Sequence, residues 1–402
     1  MIERLSQSLF LPTVLFGFAF FASTHFSKLP PDAQVLVSYL PYASLLLVAF
    51  VASAFNRGRT LIAAVFALFL LSADQYEDAI PFLNALTLAL VPLNLAILAF
   101  LPERGTFTSP GIVRITLIVA QIAAVSFAAD RYSEVLQSYL FFEFLPVWSE
   151  WVNSSQSAVL IAIAALLLAL IASYRSLSPI THSLFAACVG ITAVLMLKLS
   201  TDTNNAFQIT IALLLAIGLM RDYYNMAYRD ELTGLPQRRA LNESMTSLGG
   251  RYTMSMLDVD HFKKFNDTHG HDVGDQVLQM VASQIRKVQG GGKAYRYGGE
   301  EFTVVFQGKS VDDAIYYLDQ VRKNIEAYEM VIREKERPED EDKQSKKERK
   351  KGSFRKADKR VSVTISIGAA ERAKGEQPED VLKTADEALY RAKKAGRNQV
   401  TQ

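Results

Sequence analysis

Two acidic stretches carry the side chains best suited to chemistry. Asp258 and Asp260 close an apolar, strand-like run that begins at Met254, and Glu300 and Glu301 follow Gly298 and Gly299 inside YRYGGEEFTVVF, residues 295–306. A glycine pair between two strand-like segments predicts a hairpin whose turn exposes paired carboxylates and leaves room for a close ligand. If the two strands lie side by side, Asp258 and Glu300 or Glu301 converge on one divalent cation. Hard oxygen ligands of this kind suit magnesium held against phosphates. The alternative is a solvated acidic hairpin tip with no ligand.

The loop DVDHFKKFNDTHGHDVGD, residues 258–275, holds more functional side chains than packing requires. Val259 can offer its carbonyl oxygen beside the Asp258 carboxylate. Lys263 can approach phosphate oxygens as a compact charge. Asn266 and Asp275 supply the amide and carboxylate that the hydrogen-bonding edge of guanine needs. His269 and His271 lack a third close soft ligand and read as loop or surface residues.

These groups need a scaffold. After Asp230, LTGLPQRRAL punctuates the chain with Gly234 and Pro236 before a helical pattern starts at Arg238. A strand over 252–259 follows, then a polar loop to Asp275 and a helix over 274–288. Next come strand–turn–strand over 294–307, a helix over 311–332, a strand over 361–368 and a helix over 378–395. This order argues for a mainly antiparallel or mixed sheet covered by helices, an α+β arrangement. Residues 333–360 are mostly charged with no apolar period, which predicts a solvated insertion. Its basic part, Lys346 to Lys351, suits simple solvation or anionic lipid head groups. Nothing in it resembles a nucleic-acid reading element, so no nucleic-acid partner is expected.

The other half of the chain differs in kind. Of 402 residues, those before about Met220 form long apolar runs with few charges, so the net charge of +2 averages two unlike parts. Cys188, the only cysteine, allows no disulfide within one chain and no cysteine zinc site. Apolar runs at about 9–26, 35–55, 60–74, 79–101, 112–129, 156–174, 181–199 and 206–220 predict an all-α membrane bundle of eight spans over residues 1–220. Arg4, Arg57, Arg59, Arg104, Arg114, Arg175 and Arg221 fall on alternate connections, which places both termini in the cytoplasm. The longest outward connection, about Asp130 to Gln156, mixes aromatic and acidic residues and reads as a surface helix or a sensory lid. Residues 221–229 are expected to continue the last span into the domain that begins at 230.

Residues 230–400 resemble the GGDEF domain family, the diguanylate cyclases. The signature stands here as Gly298, Gly299, Glu300, Glu301 and Phe302. The opening motif matches at Asp230, Leu232, Thr233, Gly234, Leu235, Pro236, Arg238 and Arg239, with Gln237 where asparagine is common. The loop 258–275, SIGAA at 366–370 and ADEALYRAKKAGRN at 385–398 follow in the family's order.

The resemblance implies a nucleotide-cyclase-like fold and condensation of two GTP into cyclic di-GMP. It implies that Asp258, the Val259 carbonyl, Glu300 and Glu301 hold magnesium, or manganese in its place. Asn266 and Asp275 then bind guanine, Lys263, Lys393 and Arg397 meet the phosphates, and Gly298 and Gly299 let nucleotide pass. Glu300 becomes the base for the attacking 3′-hydroxyl. It further implies a catalytic homodimer and a multi-pass protein of a bacterial inner membrane with its GGDEF domain in the cytoplasm. Membrane lipid and an unidentified signal or partner would act on the first 220 residues. Many relatives carry an inhibitory product site that begins with arginine and ends three residues later in aspartate. Gln289 and Gly292 stand at those places, within a glycine-rich segment expected to be a flexible turn, so no such site is expected. Two rival readings are a catalytically inactive nucleotide-binding relay and a transporter with a regulatory cyclase domain.

Overall fold

A computed structural model describes residues 2–73, 83–142, 155–176, 178–197, 199–332 and 359–402. The chain divides into two compact units, residues 1–223 and 224–402.

The first unit is helical: α1 (Ile2–Ser23), α2 (Pro31–Ala54), α3 (Gly58–Ala73), α4 (Leu83–Phe100), α5 (Ser109–Arg131), α6 (Ser133–Leu140), α7 (Gln156–Arg175), α8 (Pro179–Leu197) and α9 (Thr201–Tyr228), the last crossing the boundary between units. Among the described residues, α2, α4, α5, α7, α8 and α9 are long and apolar enough to cross a membrane. The apolar stretches 9–23 and 58–71 are shorter. A stripe of small residues on α7, Ala158, Ala162, Ala165, Ala169 and Ala172, is buried. Its spacing of four and three puts one face against α4 and lets the two backbones approach closely, as in helices that pack within lipid. The expected surface segment is described only in part: α6 and the exposed Tyr132, Tyr139, Phe141 and Phe142 are seen, while Phe144, Trp148 and Trp151 lie outside the described residues.

The second unit is built on a five-stranded sheet in the order β2-β3-β1-β6-β7. The strands are β1 (Tyr252–Val259), β2 (Lys293–Arg296), β3 (Glu301–Gln307), β6 (Ile365–Glu371) and β7 (Val400–Thr401). All pairs are antiparallel except β6 with β7. Side chains alternate across the central strand β1. Leu257 and Val259 join Phe302, Val304, Phe306 and Ile367 in one core, against α11 (Phe262–His269), α12 (His271–Ile285) and α13 (Val311–Glu326). Met254 and Met256 join Tyr295, Val305 and Ala370 in the other, against α10 (Arg238–Thr246) and α14 (Pro378–Lys394). The mixed sheet flanked by helices is the fold class the sequence predicts.

Three local expectations need correction. The polar loop before Asp275 is mostly the short helix α11, and the expected helix, α12, starts three residues early at His271, after Gly270 with positive φ (+83°). The helix over 311–332 stops at Glu326. Residues Met330–Ile332 instead form β4, because a β-branched pair there finds a partner in β5 (Lys359–Val361). The strand expected over 361–368 is displaced to Ile365–Glu371. Most of the charged insertion, residues 333–358, lies outside the described residues.

Candidate active site

The sheet brings the two acidic stretches together. Asp258 lies directly opposite Glu301 on one side and Ser366 on the other, at the end of the central strand. The hairpin forms as expected, with β2 and β3 closed by residues 297–300. Tyr297 and Gly298 both donate backbone N–H to the Glu301 carbonyl, at 2.9 and 3.2 Å. The Val259 N–H reaches back to the Glu300 carbonyl at 3.4 Å, so the tip of the hairpin is tied to the strand that carries Asp258.

The electrostatics of this corner are those of an acid-rich site. Burial pushes the Asp258 carboxyl up, and neighbouring Asp260 adds to this, while the Lys393 ammonium 2.9 Å from Oδ1 works against it. Glu300 is likewise raised by burial, then by Asp258 and Glu301. Glu301 is raised by burial, Asp258 and Asp386. Like charges held this close favour a shared proton or a cation. Among the described residues, no three acidic, histidine or cysteine side chains already converge tightly enough to hold a metal ion. The donor set nevertheless fits a hard divalent cation, since it offers only carboxylates and backbone carbonyls with too much negative charge for one lysine. Phosphate oxygens and water would have to complete the shell.

The remaining site residues spread around this corner. Lys393, in the last turn of α14, points at Asp258 rather than standing free. Arg397 follows in a left-handed turn (φ +66°), its N–H capping α14 through the Ala392 carbonyl. That turn is held by Asp260, which lies outside the acidic pair. Asp260 Oδ1 accepts from the Ser366 hydroxyl, and Oδ2 accepts from the Thr364 hydroxyl and the Asn398 N–H. Asp260 is thus an internal fastener between β1, β6 and the turn that follows α14. Lys263 is exposed on the first turn of α11. Asn266, also on α11, has a buried Oδ1 with no hydrogen-bond partner among the described residues. Asp275, on α12, is exposed. His269 packs against the Phe265 ring, as a structural residue does.

Sequence reasoning missed Arg296. Its Nη1 donates to Asp230 Oδ1 at 2.6 Å, Nε to the Gly298 carbonyl at 3.2 Å and Nη2 to the Gly299 carbonyl at 2.7 Å. Burial disfavours the Asp230 carboxylate, but bonds from Thr233 and Arg296 outweigh it and hold this carboxyl below its usual range. One guanidinium therefore fixes the glycine turn to the opening motif. The only hint in the sequence is a cation just before the glycines. Arg296→Lys keeps the charge but cannot span three acceptors. The lost charge-assisted bonds, about 1.5–3 kcal/mol each, should lower turnover at saturating GTP by roughly tenfold or more. An unchanged steady-state rate would remove Arg296 from this role.

The glycine segment upstream is not the flexible turn expected. Gly290 and Gly291 both have positive φ, and a Cβ at Gly290 would fall 2.3 Å from the Tyr317 ring. The turn is packed, because only glycine fits against that ring. Gln289 is exposed, and nearby Arg286 is engaged with the Thr233 carbonyl at 2.7 Å. No arginine–aspartate pair stands at this place. Added cyclic di-GMP should leave the initial rate unchanged at low-micromolar concentration, as a product titration will read. Inhibition relieved by Gln289→Ala would contradict this.

The family model described as "Diguanylate cyclase, GGDEF domain" matches residues 227–342 and 340–399. Diguanylate cyclase VdcA of Vibrio cholerae is 36% identical over 175 residues, 42% of this chain and 45% of that protein. Response regulator PleD of Caulobacter vibrioides is 34% identical over 187 residues, 44% of this chain and 36% of its own. The chain thus spans less than half the length of these curated relatives. Among solved structures, the GGDEF domain of DgcB from Caulobacter crescentus in complex with c-di-GMP is 33% identical. The match covers 44% of this chain and 95% of that one, with a TM-score of 0.37. The carboxyl-terminal part of the chain, residues 227–399, belongs to the GGDEF domain family.

Proposed function

We propose that the protein is a diguanylate cyclase that condenses two GTP into cyclic di-GMP and releases two pyrophosphates. The observation that carries this reading is the buried Asp258 directly opposite Glu301, with Glu300 beside it at the hairpin tip. In each half-reaction a ribose 3′-oxygen forms a bond to the α-phosphorus of the other nucleotide. The bond from that phosphorus to the bridging oxygen breaks, and pyrophosphate leaves with the electron pair. Glu300 takes the proton of the 3′-hydroxyl, the role of a positioned general base.

Asp258, Glu300, Glu301 and the Val259 carbonyl would hold magnesium, or manganese in its place. When bound, the cation polarises the α-phosphate and offsets its charge. Lys393, Lys263 and Arg397 hold phosphate oxygens, while Asn266 and Asp275 hold guanine. Gly298 and Gly299 leave the hairpin tip open to nucleotide. Each domain supplies half of the reacting pair, so two copies must face one another. Eight membrane spans with both termini cytoplasmic would need the shorter apolar stretches 9–23 and 58–71 to join the six long apolar helices, and a signal received there would set the geometry of the pair. The first 220 residues would form the membrane domain, 221–229 the connector and 230–402 the cyclase.

Full-length protein in detergent, incubated with GTP and magnesium, should yield cyclic di-GMP by mass spectrometry. GTP left intact by a folded dimer would sink the assignment.

A further inference from the structure

The first unit carries a cavity with charged and hydroxyl side chains on part of its wall, which the cyclase reading does not use. It has a volume of about 680 Å3 and is lined by Arg59, Glu103, Arg175, Ser176, Ser178 and Thr181, with the apolar residues 99–102 completing the wall. Its walls come from the start of α3, the end of α4, the end of α7 and the start of α8, all at one end of the bundle.

Arg59 is the unusual member. Arginines that serve only to orient a membrane bundle lie in water, yet Arg59 is only 4% exposed. Its Nε donates to Glu103 Oε2 at 2.8 Å, and its Nη1 to the Leu101 carbonyl and Thr181 Oγ1 at 3.0 and 3.3 Å. No described residue accepts from Nη2. A buried ion pair is costly to form, so a guanidinium fixed by three acceptors with one edge spare is a preorganised donor. Arg175 lines the same cavity, exposed, and no described residue pairs with it.

Other groups reinforce the sign. Arg114 Nη2 donates to the Pro102 carbonyl in the cavity wall, at 2.9 Å. The N-terminus of α8 opens at Ser178 and Pro179, which turns the positive end of a helix dipole toward the cavity rim, while the Ser178 N–H itself donates to Ser176 Oγ at 3.0 Å. Glu103 is the opposing charge, and its carboxylate is engaged by Arg59.

We propose that this cavity binds a phosphate-type oxyanion, with Arg59 Nη2 and the Arg175 guanidinium holding its oxygens and the Ser176 and Ser178 hydroxyls beside them. The volume is that of a small-molecule site and admits either a free phosphate or the head group of an anionic lipid. The proposal does not depend on the cyclase chemistry, and its test uses no GTP.

Full-length protein is purified in phosphate-free buffer and titrated calorimetrically with inorganic phosphate. In parallel it is reconstituted in phosphatidylcholine nanodiscs containing a minor share of phosphatidylglycerol, and retained lipid is counted by mass spectrometry. Arg175→Gln alters an exposed side chain and should weaken the favoured ligand about tenfold or more, as loss of a charge-assisted bond does. Glu103→Gln removes the opposing charge while keeping an acceptor for Arg59, and should tighten binding. Phosphate binding with these opposite responses identifies a soluble oxyanion. Phosphatidylglycerol enrichment with the same responses identifies a head group. If neither probe binds, or if Arg175→Gln leaves both unchanged, the proposal is overturned.

Discussion

Glu300→Gln should lower cyclic di-GMP formation by roughly 10²–10⁴-fold, the contribution of a positioned general base. The substitution keeps volume and shape, and the backbone carbonyl that meets the Val259 N–H is untouched, so the sheet should stay intact. A second consequence has the opposite sign. Asp258, Glu300 and Glu301 all have carboxyls raised in the folded state, by burial first and then by one another. A raised carboxyl favours the protonated form of the fold. Its contribution to stability is full below the ordinary carboxylate pKa and is lost as pH rises through the raised values.

Near neutral pH and without a divalent cation, these charges therefore work against the sheet end. Removing one should slow amide hydrogen exchange in β1 and β3 relative to the unsubstituted protein at neutral pH, and this difference should vanish as pH falls below the ordinary carboxylate range. Glu300 is partly exposed, so solvent screening limits the gain to roughly 0.5 kcal/mol. Full-length Glu300→Gln that stays folded and turns over GTP near the normal rate would remove the base assignment. A variant that exchanges at the same rate as the unsubstituted protein at neutral pH would remove the electrostatic one.

The legibility of this chain followed the range of the interactions. The sheet and its helices could be read because β1, β3 and β6 carry β-branched and apolar runs, and α12 and α14 keep a helical apolar period. The pairing of Asp258 with the hairpin could be read because a carboxylate at a strand end has few other uses. The short helix α11 and the early start of α12 were hidden: Gly270 and a polar stretch look like a loop until the positive-φ glycine lets one helix stop and another start. The early end of α13 was hidden for a different reason. The strand Met330–Ile332 exists only because residues 359–361 pair with it, and they lie beyond a long charged segment. Arg296 and Asp260 were invisible as fasteners since each depends on partners remote in sequence, Asp230 for the first and Thr364, Ser366 and Asn398 for the second. No spacing rule reports such contacts. Arg59 looked like one more orienting charge, and only its burial sets it apart.

Gly274→Ala tests the guanine side of the site, and the two forces acting there predict opposite outcomes. By helix propensity alone, alanine within α12 should stabilise the helix by about 1 kcal/mol. The structure opposes this. A Cβ at 274 would sit 1.8 Å from Asn266 Oδ1, 2.9 Å from its Cγ and 3.3 Å from the Phe262 ring. Asn266 must then turn its amide away, and the buried oxygen it offers is the one without a partner. If that oxygen receives the guanine edge, losing the match costs about 1–3 kcal/mol, or roughly 5–150-fold in GTP affinity. The KM for GTP should therefore rise by that factor, and preference over ATP should fall. The rate at saturation should change little, because Glu300 and Asp258 sit on other elements. Adding Asn266→Ala to Gly274→Ala removes the clash, so stability should recover while affinity does not. A Gly274→Ala protein that is more stable and binds GTP as tightly as before would show that Asn266 takes no part in reading the base.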